Sequence, residues 1–240
     1  MITLPKTIIA STEVDPKLML LYGPPKVGKT TILAALPNCL ILDAEDGSDY
    51  VSALKVKINS IEDLREVSAS VIAAGRPYDF VALDTITAAE GWCEERGRIL
   101  YKASVIGKNF VGKSILELPD GSGYFWLRKA FDEVMEAIIP MAKRVILLGH
   151  LREKYLGGKD AKVDSMVSTK TIDLTGKIKQ IACSRSDAIG YVFRDTENKG
   201  ALSVNFCSTE QINCGSRCAH LKGKKMEFEW SAIYTSLKTI

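Results

Sequence analysis

The sequence has no apolar run near the ~20 residues that span a bilayer. Its first ten residues, Met1 to Ala10, have neither a basic n-region nor a long apolar h-region. Neither a membrane span nor a secretory leader is expected, and the chain reads as cytoplasmic (host cytoplasm if phage-encoded). A large excess of either charge sign is lacking as well. The formal net charge is only +3 over 240 residues, so a nucleic-acid partner is permitted but has to be argued from local patches. There is no internal repeat and no low-complexity tract. No C-x₂-C pair occurs among the six cysteines. Cys207, Cys214, Cys218 and His220 follow C-x₆-C-x₃-C-x-H, which lacks the zinc knuckle, so reduced thiols acting as small hydrophobes are the simpler reading and zinc the alternative.

What is present is the composition of a globular α/β chain: 46% hydrophobic and 25% charged residues argue against disorder. The organising stretch is Lys17 to Leu36. A strand-like run, Leu18 to Tyr22, breaks into a glycine-bounded turn, and an apolar pattern of helical spacing follows at Ile32, Leu33 and Leu36. Within it Gly23, Gly28, Lys29 and Thr30 fit G-x-x-x-x-G-K-[ST]. A polyphosphate needs inward-pointing backbone N–H groups, and a residue without a side chain at Gly28 lets the backbone approach. The loop Gly23, Pro24, Pro25, Lys26, Val27, Gly28, Lys29, Thr30 and Thr31 is therefore the candidate ATP site. Lys29 reaches the β and γ phosphates, Thr30 offers a hydroxyl to Mg²⁺, and the helix opening at Lys29 turns its positive end to the phosphates.

Buried strands alternate with helices along the next stretch, which predicts a mostly parallel sheet with right-handed crossovers. Cys39 to Leu42 and Tyr78 to Thr85 read as buried strands, as does Arg144 to Leu148, and Lys55 to Ile58 as a further one. Lys6 to Ser11 reads as a short strand ahead of the loop. Ser60 caps a helix that runs to about Ala74, where Gly75 and Pro77 stop it. Ala88 to Tyr101 reads as an amphipathic helix with Trp92 and Ile99 inward. Tyr124 to Ala142 is a long helix closed by Pro140. Lys102 to Gly123 and Glu153 to Lys170 read as loops, the second mobile. Ala188 to Arg194 and Ala201 to Phe206 pair as antiparallel strands toward the C-terminus, and Phe228 to Leu237 closes the chain as an amphipathic segment.

Three polar residues end buried strands where an α/β sheet binds its ligands. Asp84 stands where a phosphate-loop enzyme holds its Mg²⁺ water shell, with turn capping as the alternative. Glu45 is the candidate carboxylate for polarising a water; Asp43 and Asp46 stand beside it as competitors. His150 is placed to contact the γ phosphate, or else is a satisfied structural histidine.

The blocks GPPKVGKTT, CLILDAEDGSD, DFVALDT and VILLGHLREK, taken in that order, resemble the RecA-like recombinase ATPases. They look closest to the small phage-type RecA-like ATPases linked to single-strand annealing and recombination. The resemblance implies a single RecA-like ATPase domain over residues 1–240, with Glu45 as catalytic base and His150 as γ-phosphate sensor. Bacterial recombinases usually carry glutamine at the His150 position, so this histidine departs from their pattern. The resemblance also implies Mg·ATP as ligand and self-association into a ring or filament. It further implies single-stranded DNA as partner, together with a single-strand-binding protein. The DNA-facing loops would carry Lys102, Lys108, Phe110 and Lys113 in one, and Lys154, Lys159 and Lys162 in the other, with solvated loops as the alternative. A basic residue from the neighbouring subunit, among Arg217, Lys222 and Lys224, would complete the site.

Overall fold

The computed structural model describes residues 4, 6–156 and 167–239. Leu18–Gly23 (β1) is buried along its whole length, as an apolar strand between two parallel neighbours must be. The phosphate loop follows, and the chain enters helix at Lys29–Ala34 (α1). Next come strands Cys39–Asp43 (β2) and Leu54–Lys57 (β3), helix Ile61–Ala73 (α2) and strand Phe80–Asp84 (β4). Helices Ile86–Ala103 (α3) and Gly123–Ile138 (α4) lead into the long strand Arg144–Leu156 (β5) and its partner Val167–Ile172 (β6). Helix Gly176–Arg185 (α5) precedes strands Ala188–Asp195 (β7), Ala201–Asn205 (β8), Gly215–Ser216 (β9) and Lys225–Glu227 (β10), and the short helix Trp230–Ile233 (α6) closes the order.

The strands lie in the order β10-β8-β7-β1-β5-β4-β2-β3, with β6 on β5 and β9 on β7. The pairs from β7 through β3 are parallel. The pairs made by β6, β8, β9 and β10 are antiparallel. The result is a mostly parallel central sheet flanked by helices, with antiparallel strands toward the C-terminus, as the sequence implied. Register sets the site. Leu21 lies beside Leu148, Leu148 beside Asp84, and Asp84 beside Asp43, so β1, β5, β4 and β2 deliver their carboxyl ends to one level.

Because side chains alternate along a strand, each strand feeds two cores. Leu20, Tyr22, Leu42, Leu83 and Leu147 pack under α2, α3, α4 and α5. Met19, Leu21, Ile41, Ala82, Ile146 and Leu148 face the other way, toward α1 and the closing segment. Local chemistry explains several boundaries. Ser60 caps α2 by accepting from the Asp63 N–H at 3.0 Å, with Glu62 and Asp63 in the first turn. Gly75 leaves that helix in left-handed geometry, φ +78°.

Three expectations need correction and one gains detail. Residues 6–11 form no strand; Ile8 is 99% exposed and, among the described residues, no strand pairs with it. The inward face of α3 is Ile86, Ala89, Cys93 and Gly97, while Ile99 faces solvent. Gly97 is inward because the backbone of Trp126 passes within 3.2 Å of the position a Cβ would take. The stretch 104–122 is irregular, as expected, but it is anchored: Ile115 is fully buried, and Ser114 and Glu117 form a reciprocal capping box. The polar stretch after His150 is a hairpin on both flanks, with Leu151 opposite Ile172 and Leu156 opposite Val167. Lys159 and Lys162 lie outside the described residues. Helix α5 had no expectation attached to it.

The closing segment is held by Trp230, which is buried, donates its indole N–H to the Ile32 carbonyl at 2.6 Å and stacks on Tyr234 at 5.9 Å. Trp230→Ala is expected to destabilise the protein by about 3–5 kcal/mol, lowering Tm by roughly 10 °C in a thermal melt.

Candidate functional site

The phosphate loop spans the carboxyl end of β1 and the amino end of α1. Gly23 cannot carry a side chain, since a Cβ there would lie 2.4 Å from the Val192 carbonyl oxygen. Gly28 is the N-cap of α1 at φ +112°, a conformation that favours glycine. Val27 is buried and anchors the loop, while Pro25, Lys26 and Thr31 are exposed. Lys29 is buried, and its Nζ donates to the Gly23 and Pro24 carbonyls at 3.1 and 3.0 Å. Burial pushes its pKa down, and the charges of Asp84 and Glu45 oppose that.

Asp84 ends β4 directly beneath this helix. Its Oδ2 accepts from the Thr30 hydroxyl at 2.6 Å. Burial raises its pKa, the Thr30 hydrogen bond lowers it, and the charges of Glu45 and Asp43 raise it further, with a net upward shift. A hydroxyl and a carboxylate so paired form the oxygen donor set that a hexacoordinate Mg²⁺ accepts alongside waters and phosphate.

Glu45 lies across the cavity. The Thr85 hydroxyl donates to its Oε1 at 2.6 Å while accepting from the Ala88 N–H at 3.2 Å, so one side chain both caps α3 and fixes the carboxylate. His150 Nε2 lies 2.8 and 3.0 Å from the two Glu45 oxygens. A carboxylate only accepts, so Nε2 carries the proton. Nδ1 is buried and has no partner among the described residues, while the His150 backbone N–H donates to the Thr87 hydroxyl at 3.1 Å.

The other two acids are spoken for. Asp43 is 2% exposed and accepts from the backbone N–H groups of Glu45, Gly47 and Ser48. Burial pushes its pKa up, but these bonds and that of the Ser48 hydroxyl outweigh burial and hold it below the usual carboxylate range. It builds the turn that projects Glu45. Asp46 pairs with Lys57 at 2.9 Å. The cavity enclosed by these elements measures about 430 Å³ and is lined by Lys29, Thr30, Glu45, Asp84, Thr85 and His150 among others. It includes Tyr50, 97% exposed, which the sequence reading did not single out.

The sequence model of the AAA domain, AAA_24, matches residues 15–222. The chain belongs to that family. No curated protein matches it. Among solved structures, a RadB recombinase is similar at 14% identity, covering 92% of this chain and 90% of that one with a TM-score of 0.48. A prototypical ATPase from the type III secretion system of pathogenic bacteria is similar at 11% identity. That match covers 91% of this chain and 62% of the other, with a TM-score of 0.48.

The remaining predicted residues of this AAA domain lie elsewhere. Lys102, Lys108 and Lys113 are exposed, but the Phe110 ring packs edge-on against Tyr101 at 5.2 Å and is half-buried. Lys154 is exposed on the β5–β6 hairpin. Arg217 is engaged within its own chain, donating to the Ser184 carbonyl at 2.7 Å and lying 3.5 Å from Asp187, while Lys222 and Lys224 are exposed. Among the described residues, no group of three or more His, Cys, Asp or Glu side chains could hold a metal. His220 bonds the Ile233 carbonyl at 2.9 Å, and all six cysteines are free. No described helix is long and apolar enough to cross a membrane.

The raised pKa of Asp84 has a definite sign in stability. Folding disfavours its charged form, so the penalty is present at neutral pH and is relieved as pH falls through the folded-state pKa, above the ordinary 3.8. Asp84→Asn is therefore expected to raise the nucleotide-free Tm at pH 7 by about 2–4 °C, the shift that roughly 1 kcal/mol gives in a chain this long. The gain should shrink on acidification, and the variant should lose any Mg²⁺ dependence of nucleotide binding in calorimetry.

Proposed function

We propose that this protein is a Mg-dependent ATPase that self-associates and, in its ATP-bound form, binds single-stranded DNA in recombination or annealing. The reading is carried by one constellation: Glu45, Thr85 and His150, from three neighbouring strand ends, opposite the phosphate loop. A module that only bound nucleotide would have no use for a carboxylate fixed from two sides. The loop N–H groups and Lys29 hold the polyphosphate. Thr30 and Asp84 hold Mg²⁺, which when bound neutralises charge on the phosphate oxygens. Glu45 accepts a proton from the attacking water, as general bases do. His150, already donating to Glu45, is placed to exchange that partner for a phosphate oxygen, and the β5–β6 hairpin that begins beside it would carry the nucleotide state outward. Lys102, Lys108, Lys113 and Lys154 supply phosphate contacts for DNA. Lys222 or Lys224 of a second copy would supply the cation completing the site.

A second reading has its own support. Val105, Ile106 and Val111 are 86%, 78% and 93% exposed on the stretch between α3 and α4, which suits a protein partner gated by nucleotide better than a phosphate backbone.

Glu45→Gln should reduce ATP turnover on the order of 10²–10³-fold while retaining ATP binding, and Lys29→Ala should lose binding. Single-stranded DNA should stimulate the parent enzyme. Turnover indifferent to added DNA, together with assembly on a protein partner only when ATP is present, would select the second reading.

A further inference from the structure

The cations so far assigned to the site in its own chain all belong to the loop. One more stands beside it. A Cβ built on Gly28 would lie 3.4 Å from Nη2 of Arg194 and 3.9 Å from Cδ2 of Leu202. These two residues face each other across the antiparallel pair β7–β8, so their side chains share one face of the hairpin. That face is a wall set against the phosphate loop. Gly28 is the residue whose missing side chain lets phosphate approach the loop backbone, and the Arg194 guanidinium stands beside it, at the edge of the cavity rather than among the residues that line it.

Arg194 is available for such a ligand. It is exposed, has no carboxylate within 4.0 Å among the described residues, and makes only a long 3.4 Å contact to the Gly200 carbonyl. Its neighbour Asp195 is paired instead with Lys225 at 3.0 Å. The sheet order fixes which part of a nucleotide Arg194 would meet. Asp84 and His150 lie on β4 and β5 and Glu45 follows the end of β2, all on one side of β1, whereas β7 and β8 lie on the other. A polyphosphate laid along the loop with its reacting end toward Glu45 therefore brings its inner phosphates to Arg194.

Resting on the nucleotide-site reading above, we propose that Arg194 is a second phosphate-binding cation supplied in cis, gripping the α- and β-phosphates from the side opposite Asp84 with its planar fork. Leu202 backs the guanidinium and keeps it against the loop.

The test is calorimetric titration of parent, Arg194→Gln and Arg194→Lys with Mg·ADP and Mg·ATP, alongside steady-state hydrolysis. Arg194→Gln should weaken both nucleotides alike, by roughly tenfold to a hundredfold. KM should rise with kcat nearly unchanged, and Arg194→Lys should recover part of the loss. The nucleotide-free Tm of both variants should match the parent, because the side chain is exposed. If Arg194→Gln binds ADP as tightly as a parent that binds well, the inference is overturned while the nucleotide site stands. A loss confined to ATP would put the guanidinium at the reacting phosphate and overturn the placement. A parent that binds neither nucleotide removes the site itself.

Discussion

A carboxylate taken out of water sets the terms for this molecule. Asp84 is held at the end of a fully buried strand, and its hydrogen bond from Thr30, 2.6 Å long, ties the sheet to the first turn of α1. Neither end of that bond can be moved alone. Asp84 is fixed by register with Asp43 on one side and Leu148 on the other, and Thr30 by a helix whose N-cap is a left-handed glycine. Buried Asp84 is disfavoured as an anion and buried Lys29 as a cation, and each partly relieves the other. The site thus holds charge at a cost that a divalent cation and a polyphosphate would lift, a form of preorganisation by unmet electrostatic demand.

The second carboxylate is held on different terms. Glu45 is partly exposed, and what fixes it is contact from two directions: the Thr85 hydroxyl and the His150 imidazole. Asp43, two residues earlier, makes this possible by collecting the N–H groups of the following turn. Two acids in one short segment therefore differ in role because one is consumed by the backbone and the other is presented by it. The same device recurs at Thr85, which caps α3 and orients Glu45 with a single hydroxyl.

Much of this was legible in the sequence because buried parallel strands are written as unbroken apolar runs, each ended here by a polar residue at the ligand edge. Strands β2 and β4 and the apolar half of β5 follow from that, and the phosphate loop from the spacing of Gly23, Gly28, Lys29 and Thr30. Elsewhere the signal fails for physical reasons. The outer half of β5 is exposed, so Arg152, Glu153 and Lys154 are strand residues with no apolar face to declare them. Lys6 to Ser11 has the composition of a strand, yet among the described residues no strand edge pairs with it. Gly97 is inward on α3 where Ile99 is not, because helix approach at Trp126 selects for the absence of a side chain. Arg194 lies 166 residues from Gly28 in sequence, and only the β7–β8 pairing brings it to the loop.

The connection between the site and the protruding hairpin is made of short, directional contacts. The Asp173 N–H donates to the His150 carbonyl at 2.8 Å, and its carboxylate pairs with Arg152 at 2.9 Å. Beyond it the Thr175 N–H donates to Glu90 on α3 at 2.8 Å. Gly149 is closed in as well, since a Cβ there would lie 2.5 Å from Ile172. The strand end at His150 is thus joined by a hydrogen bond to the segment after β6, and that segment to α3, with Ile172 closed against Gly149 between them.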